Sequence, residues 1–148
     1  MNKKFWKRYF IYSILIISIA FIGEFAFRSV RLNFSKTFRF NPYTYNFLAV
    51  FLYGAIGVLL GLEYFLQQLK KKGRWKMNLP KLILIGVPAL YFSLYSLLYY
   101  SPFQFIGQII SIPITFLIEG VSSYLAVFQV ILGYVAITSF FKCDKNEV

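Results

Sequence analysis

The chain has 148 residues, 59% of them apolar, 22% aromatic and 14% charged, and its sixteen Lys and Arg against five Asp and Glu give a net charge of +11. With its charges gathered into a few blocks between long uncharged runs, it lacks the polar surface that a water-soluble domain of this length needs. The basic residues flank apolar runs and form no aromatic-interleaved groove, which argues against a nucleic-acid partner and for a lipid bilayer.

In chain order, residues 9–27 form the first apolar stretch, opened by Lys3, Lys4, Lys7 and Arg8 and interrupted only by Glu24. No small residues follow it at the spacing of a signal-cleavage site, so it is expected to be a retained helix crossing ~30 Å of hydrocarbon. Residues 28–44 are expected to be an outer loop. In it Leu32, Phe34, Phe38 and Phe40 alternate with polar residues, a pattern that suits either a solvated loop or a flat strip on the outer leaflet.

Residues 45–66 predict a second span, and residues 70–81 a short cytoplasmic loop with six Lys and Arg and the helix breakers Gly73 and Pro80. Residues 82–100 predict the third span. The uncharged run 101–118 contains Pro102, Gln104, Gln108, Ser111 and Pro113, which suit a re-entrant or interfacial segment better than a lipid-facing helix. Residues 120–141 predict the last span.

The expected fold is therefore all-α: a single polytopic transmembrane domain over residues 1–148, built as a four-helix bundle with a re-entrant or interfacial segment before the last span. With the N-terminus inside, twelve Lys and Arg fall on the cytoplasmic side and four, Arg28, Arg31, Lys36 and Arg39, outside. Aromatic belts agree: Trp6, Tyr9, Tyr64 and Trp75 fall at the inner boundary, Tyr43, Tyr45, Tyr99 and Tyr100 at the outer one. Small size and the lack of sorting signals suggest a bacterial cytoplasmic membrane.

Helices in lipid meet through small residues that let backbones approach. Gly54, Gly57 and Gly61 share one face of the second span. Gly86, Ala89, Ser93 and Ser96 form a similar stripe on the third, with Pro88 expected to kink it. These two spans are expected to make the tight contact. The fourth carries Glu119, Ser122, Ala126, Gln129, Gly133 and Ala136 on one face.

Intramembrane carboxylates need a partner or a task. Glu63 is expected to reach the cytoplasmic boundary. Glu24, Arg28, Glu119 and Gln129 are expected to form a polar cluster near the outer leaflet, either a structural Glu24–Arg28 ion pair or a site for a proton, cation or lipid head group. The single cysteine, Cys143, and the absence of histidine speak against a disulfide, a metal site and a Ser-His triad, and no cofactor motif is present.

The segment Ala20-Phe21-Ile22-Gly23-Glu24 resembles the first-helix carboxylate segment of the small multidrug-resistance transporters, over those residues alone. That resemblance implies a four-span chain with a membrane carboxylate. The chain departs from it in its length, in Arg28 one turn beyond Glu24, and in a charge bias opposed to dual insertion, so drug–proton exchange does not follow. The surplus of packing residues over chemical ones predicts a non-enzymatic assembly or accessory component that joins a homo-oligomer or a membrane-protein partner. The alternative is a small oligomeric transporter or lipid-translocating protein that uses the Glu/Arg cluster.

Overall fold

The computed structural model describes residues 3–37, 41–94, 98 and 123–143, and these are almost entirely helical. Two of the helices are long and apolar enough to cross a membrane, over Tyr9–Lys36 and Tyr43–Lys70. The chain divides into two compact units, Met1–Asn41 and Pro42–Val148.

The first unit is one helix, α1 (Lys3–Thr37), of 35 residues, which at 1.5 Å per residue is about 52 Å long. It does not stop at Arg28, where the loop is expected. No Pro and no second Gly occurs before Thr37 to break it, and the next proline is Pro42. The alternating strip therefore lies on a helix from Arg31 to Thr37, and the Ser35 hydroxyl bonds back to the Leu32 carbonyl at 2.9 Å. Phe21 and Phe25 are 75% and 77% exposed, and Gly23 is buried.

The second unit opens with α2 (Pro42–Lys70). Pro42 suits a first helical position, where its missing N–H costs nothing. Beyond three lysines the chain turns at Gly73, whose φ of 150° strains any side chain. It then enters strand β1 (Arg74–Met77), where the sequence predicts an irregular loop.

Asn78 caps the next helical rod, accepting a bond from the Lys81 N–H at 3.1 Å. The rod comprises α3 (Leu79–Lys81), a π-helical turn (Leu82–Gly86) and α4 (Val87–Ser93). The wide turn ends two residues before Pro88, which has no N–H to give the carbonyl four residues back.

Helix α5 (Ser123–Thr138) is followed by strand β2 (Phe140–Cys143). The helix ends short of the predicted residue 141. The Thr138 and Ser139 hydroxyls bond back to the carbonyls of Tyr134 and Val135 at 2.6 and 2.7 Å, and the Asn78 N–H takes the Ser139 carbonyl at 2.8 Å. Strands β1 and β2 then pair antiparallel, Arg74 with Cys143, Trp75 with Lys142, Lys76 with Phe141 and Met77 with Phe140. The basic segment and the C-terminal tail are thereby joined at one end of the unit.

Helix α5 packs between α2 and the α3–α4 rod. It runs parallel to α2, since Gly54 lies beside Gln129 and Gly133, Gly57 beside Val130 and Tyr134, and Gly61 beside Ile137 and Thr138. It runs antiparallel to the rod: Lys81 meets Thr138, Gly86 lies near Val135, and Phe92 stacks on Phe128 at 4.5 Å. The glycine face of α2 thus meets α5, not the third span as expected. The Gly86–Ala89–Ser93 stripe is the buried face of the rod, and the Ser93 hydroxyl bonds to the Ala89 carbonyl at 2.6 Å.

Burial among the described residues is inverted relative to a water-soluble core. Six buried polar side chains, Asn46, Gln68, Ser93, Gln129, Thr138 and Ser139, stand against five apolar ones, Ala49, Leu52, Ala89, Leu125 and Val135, while Phe51 and Leu84 are 75% and 74% exposed. The predicted segment 101–118 lies outside the described residues. The helices that flank it are antiparallel neighbours, and their adjoining ends lie opposite the ribbon.

Candidate functional site: a cation-clipped end above a glycine seam

The seam is a backbone contact. A Cβ at Gly57 would overlap the Val130 carbonyl and come within 2.8 Å of the Tyr134 nitrogen, and one at Gly133 would overlap the Gly54 carbonyl and come within 3.0 Å of its Cα. At Gly61 the obstruction is the Ile137 methyl and, at 2.9 Å, the Thr138 methyl. Gly86 is less crowded, its nearest neighbour being a Val135 methyl at 3.4 Å. Approach this close lets the two helical backbones gain dispersion energy along the whole seam.

Two lysines close the basic end. The Lys142 ammonium donates to the carbonyls of Leu69 and Lys71, both at 3.0 Å, and lies 5.1 Å from the centre of the Trp75 ring. It thereby satisfies carbonyls that the last turn of α2 leaves open and sits at the negative end of that helix dipole. Its backbone N–H donates to the buried Gln68 side chain at 3.3 Å. Trp75, opposite Lys142 in the ribbon, stacks on Phe65 of α2 at 5.6 Å.

The Lys81 ammonium donates to the Thr138 hydroxyl at 2.6 Å and carbonyl at 3.5 Å, with the Tyr134 and Tyr64 rings 5.0 and 5.9 Å away. Burial pushes its pKa below the usual lysine value. Hydroxyl, carbonyl and aromatic faces stabilise a cation without neutralising it.

Beside the ribbon, Phe65, Trp75, Ala136, Ile137 and Phe140 line an apolar groove of about 490 Å³. On α1, Glu24, Arg28, Arg31, Leu32, Phe34 and Ser35 line a second, more polar hollow of about 590 Å³. There the Glu24 carboxylate accepts a bond from Arg31 at 3.1 Å, where Arg28 is the expected partner, and the two side chains are 71% and 68% exposed. Seven helical residues bring a side chain within about 20° of its starting azimuth and about 10.5 Å along the axis, a span that a long arginine can bridge.

Of the predicted cluster, the structure brings Glu24 and Arg28 to that hollow. Gln129 is buried in the second unit, its backbone against Gly54, and Glu119 lies outside the described residues. Of the packing residues, Gly54, Gly57, Gly61 and Gly133 meet in the seam, and Gly86, Ala89 and Ser93 are buried on the rod.

Sequence reasoning missed Lys81, Thr138, Lys142 and Gln68, whose roles depend on partners distant in sequence. It also missed Asn46, which is buried with neither oxygen nor nitrogen of its amide hydrogen-bonded among the described residues. Helical spacing could have found Asn46, since it falls on the face of α2 that carries Gly57 and Gly61. No protein-family model matches the chain, and neither a curated protein nor a solved structure matches it.

Proposed function

We propose that the chain is an integral membrane protein that crosses the bilayer four times, with its N-terminus and the β1–β2 ribbon in the cytoplasm, and that it acts as a non-enzymatic assembly or accessory component. The observation that carries this reading is the inverted burial: Gln129 and Asn46 are 2% and 1% exposed while Phe51 and Leu84 face outward at 75% and 74%. Water disfavours that arrangement on both counts, and lipid favours it on both.

The ribbon supports the topology. It ties the segment richest in lysine to the C-terminal tail, two stretches that a four-span chain puts on one side and a five-span chain on opposite sides. The parallel course of α2 and α5 agrees, because alternate spans run in the same direction. A four-span course would put twelve of the sixteen Lys and Arg on the side of the ribbon, and the positive-inside bias makes that side the cytoplasmic one in this reading. An assembly role rests on the scarcity of reactive groups and on the outward apolar side chains such as Phe51 and Leu84, since the seam glycines are engaged within the chain, with a second copy of the chain or another membrane protein as partner. Co-purification in mild detergent tests it: a larger complex is expected, and a strictly monomeric, unpartnered protein would overturn it.

The hollow beside Glu24, Arg28 and Arg31 favours a second reading, an oligomeric transporter or lipid translocator. Replacing Glu24 and Glu119 by Gln and comparing ion and lipid flux in reconstituted vesicles separates the two. Flux that falls in the variant supports transport, whereas unchanged flux, or none in the parent, removes it.

A further inference from the structure

The groove beside the ribbon has apolar walls and a cationic rim, both built within the second unit. Phe65 of α2 forms one wall, Ala136 and Ile137 of α5 another, and Trp75 and Phe140 of the ribbon complete the lining. Its volume of about 490 Å³ falls in the usual range of small-ligand sites. At the rim the Lys142 ammonium, 5.1 Å from the Trp75 ring centre, uses two bonds on the carbonyls of Leu69 and Lys71. A third N–H remains for another acceptor.

Lys71, Lys72, Arg74 and Lys76 are exposed at the same end, and the segments 70–81 and 142–148 that the ribbon joins hold eight Lys and Arg against two acidic residues, Asp144 and Glu147. Any acyl chain would wet the walls, so it is the excess of positive charge that selects among lipids. Resting on the membrane reading above, we propose that this groove binds one anionic glycerophospholipid of the cytoplasmic leaflet. An acyl chain lies against Phe65, Trp75, Ile137 and Phe140. The phosphate sits beside Lys142, in the field of Arg74 and Lys76. Charge complementarity favours this occupant over a second copy of the chain, whose own ribbon would bring like charges together.

Trp75 makes the test local. Trp6 is the only other tryptophan, so the full-length Trp6→Phe protein, reconstituted in vesicles, reports from the groove wall. Brominated phosphatidylglycerol is expected to quench Trp75 with an apparent affinity at least about tenfold above brominated phosphatidylcholine. Exchanging Arg74 and Lys76 for Gln should bring that preference close to parity, since a basic residue at an anionic surface contributes up to about fivefold. Equal quenching by the two lipids overturns the proposal. Quenching by neither, in protein held by the vesicles, also overturns it and leaves a protein segment as occupant. A chain that the vesicles do not hold overturns the membrane reading instead.

Discussion

Alanine at Gly57 and alanine at Gly54 should have opposite effects, although the two glycines look alike in the sequence. A Cβ at Gly57 lies 2.9 Å from the Val130 carbonyl carbon and 2.8 Å from the Tyr134 nitrogen, so relief requires moving backbone. Ordinary contact begins at 3.4 Å, and clearing the Val130 carbonyl oxygen, which the Cβ would overlap, means parting the helices by about 1 Å or more, a gap that forfeits about half of each contact's dispersion energy along the seam. Overpacking of this kind costs about 1–3 kcal/mol, with a backbone clash at the upper end, and the better helix propensity of alanine offsets about 1 kcal/mol. Gly57→Ala should therefore destabilise by about 2 kcal/mol. Gly54→Ala, whose Cβ would find its nearest neighbour, the Gln129 carbonyl oxygen, at 4.0 Å, should be neutral or stabilising by up to about 1 kcal/mol. Unfolding by SDS in mixed micelles, followed by tryptophan fluorescence, measures both. Equal effects at the two positions would refute the account of the seam.

Lys142→Gln removes two charge-assisted bonds to the end of α2, worth about 1.5–3 kcal/mol each at most and less at an exposed site, and hydrogen exchange should speed up in the last turn of α2 and in the ribbon. Unchanged exchange would contradict the clip. Lys81 is disfavoured as a cation in the folded state, so its folded pKa lies below its unfolded one. Between the two the unfolded chain binds more protons, and stability should rise with pH in the alkaline window that ends at the usual 10.5. Lys81→Met should flatten that rise when SDS unfolding is repeated across the window. Asn46→Leu replaces a buried amide that has no partner among the described residues and should be neutral or stabilising by about 1–3 kcal/mol, whereas clear destabilisation in the same assay would mean that the amide has a partner in the bilayer.

Hydropathy and glycine spacing made the long helices and the seam on α2 legible, because both are local and periodic. The partner of that seam was not legible. Small-residue stripes occur on the third and fourth spans alike, and only the reciprocal fit of Gly133 on the Gly54 backbone selects α5. The ribbon escaped because Arg74–Met77 and Phe140–Cys143 are four-residue strands whose partners lie more than sixty positions apart, and Phe140 and Phe141 read as a continuation of the last span. The end of α1 escaped for a related reason: Arg28 ends the apolar run, yet charge alone does not break a helix, and the chain continues to Thr37. The cations at the ribbon were visible as a charge block, but their carbonyl and aromatic partners were not.

Single cysteines at the two ends of α2 offer the most direct measurement. In a Cys143→Ser background, Lys72→Cys lies beside the ribbon, two residues past the end of α2, and Thr44→Cys at the opposite end of the helix, both at exposed positions, with about 39 Å of helix between Thr44 and Lys70. A membrane-impermeant maleimide added to intact cells should label Thr44→Cys alone, and in inside-out vesicles Lys72→Cys alone. Labelling of both positions from one side would contradict the transmembrane course of α2, and labelling of Lys72→Cys alone in intact cells would contradict a cytoplasmic ribbon.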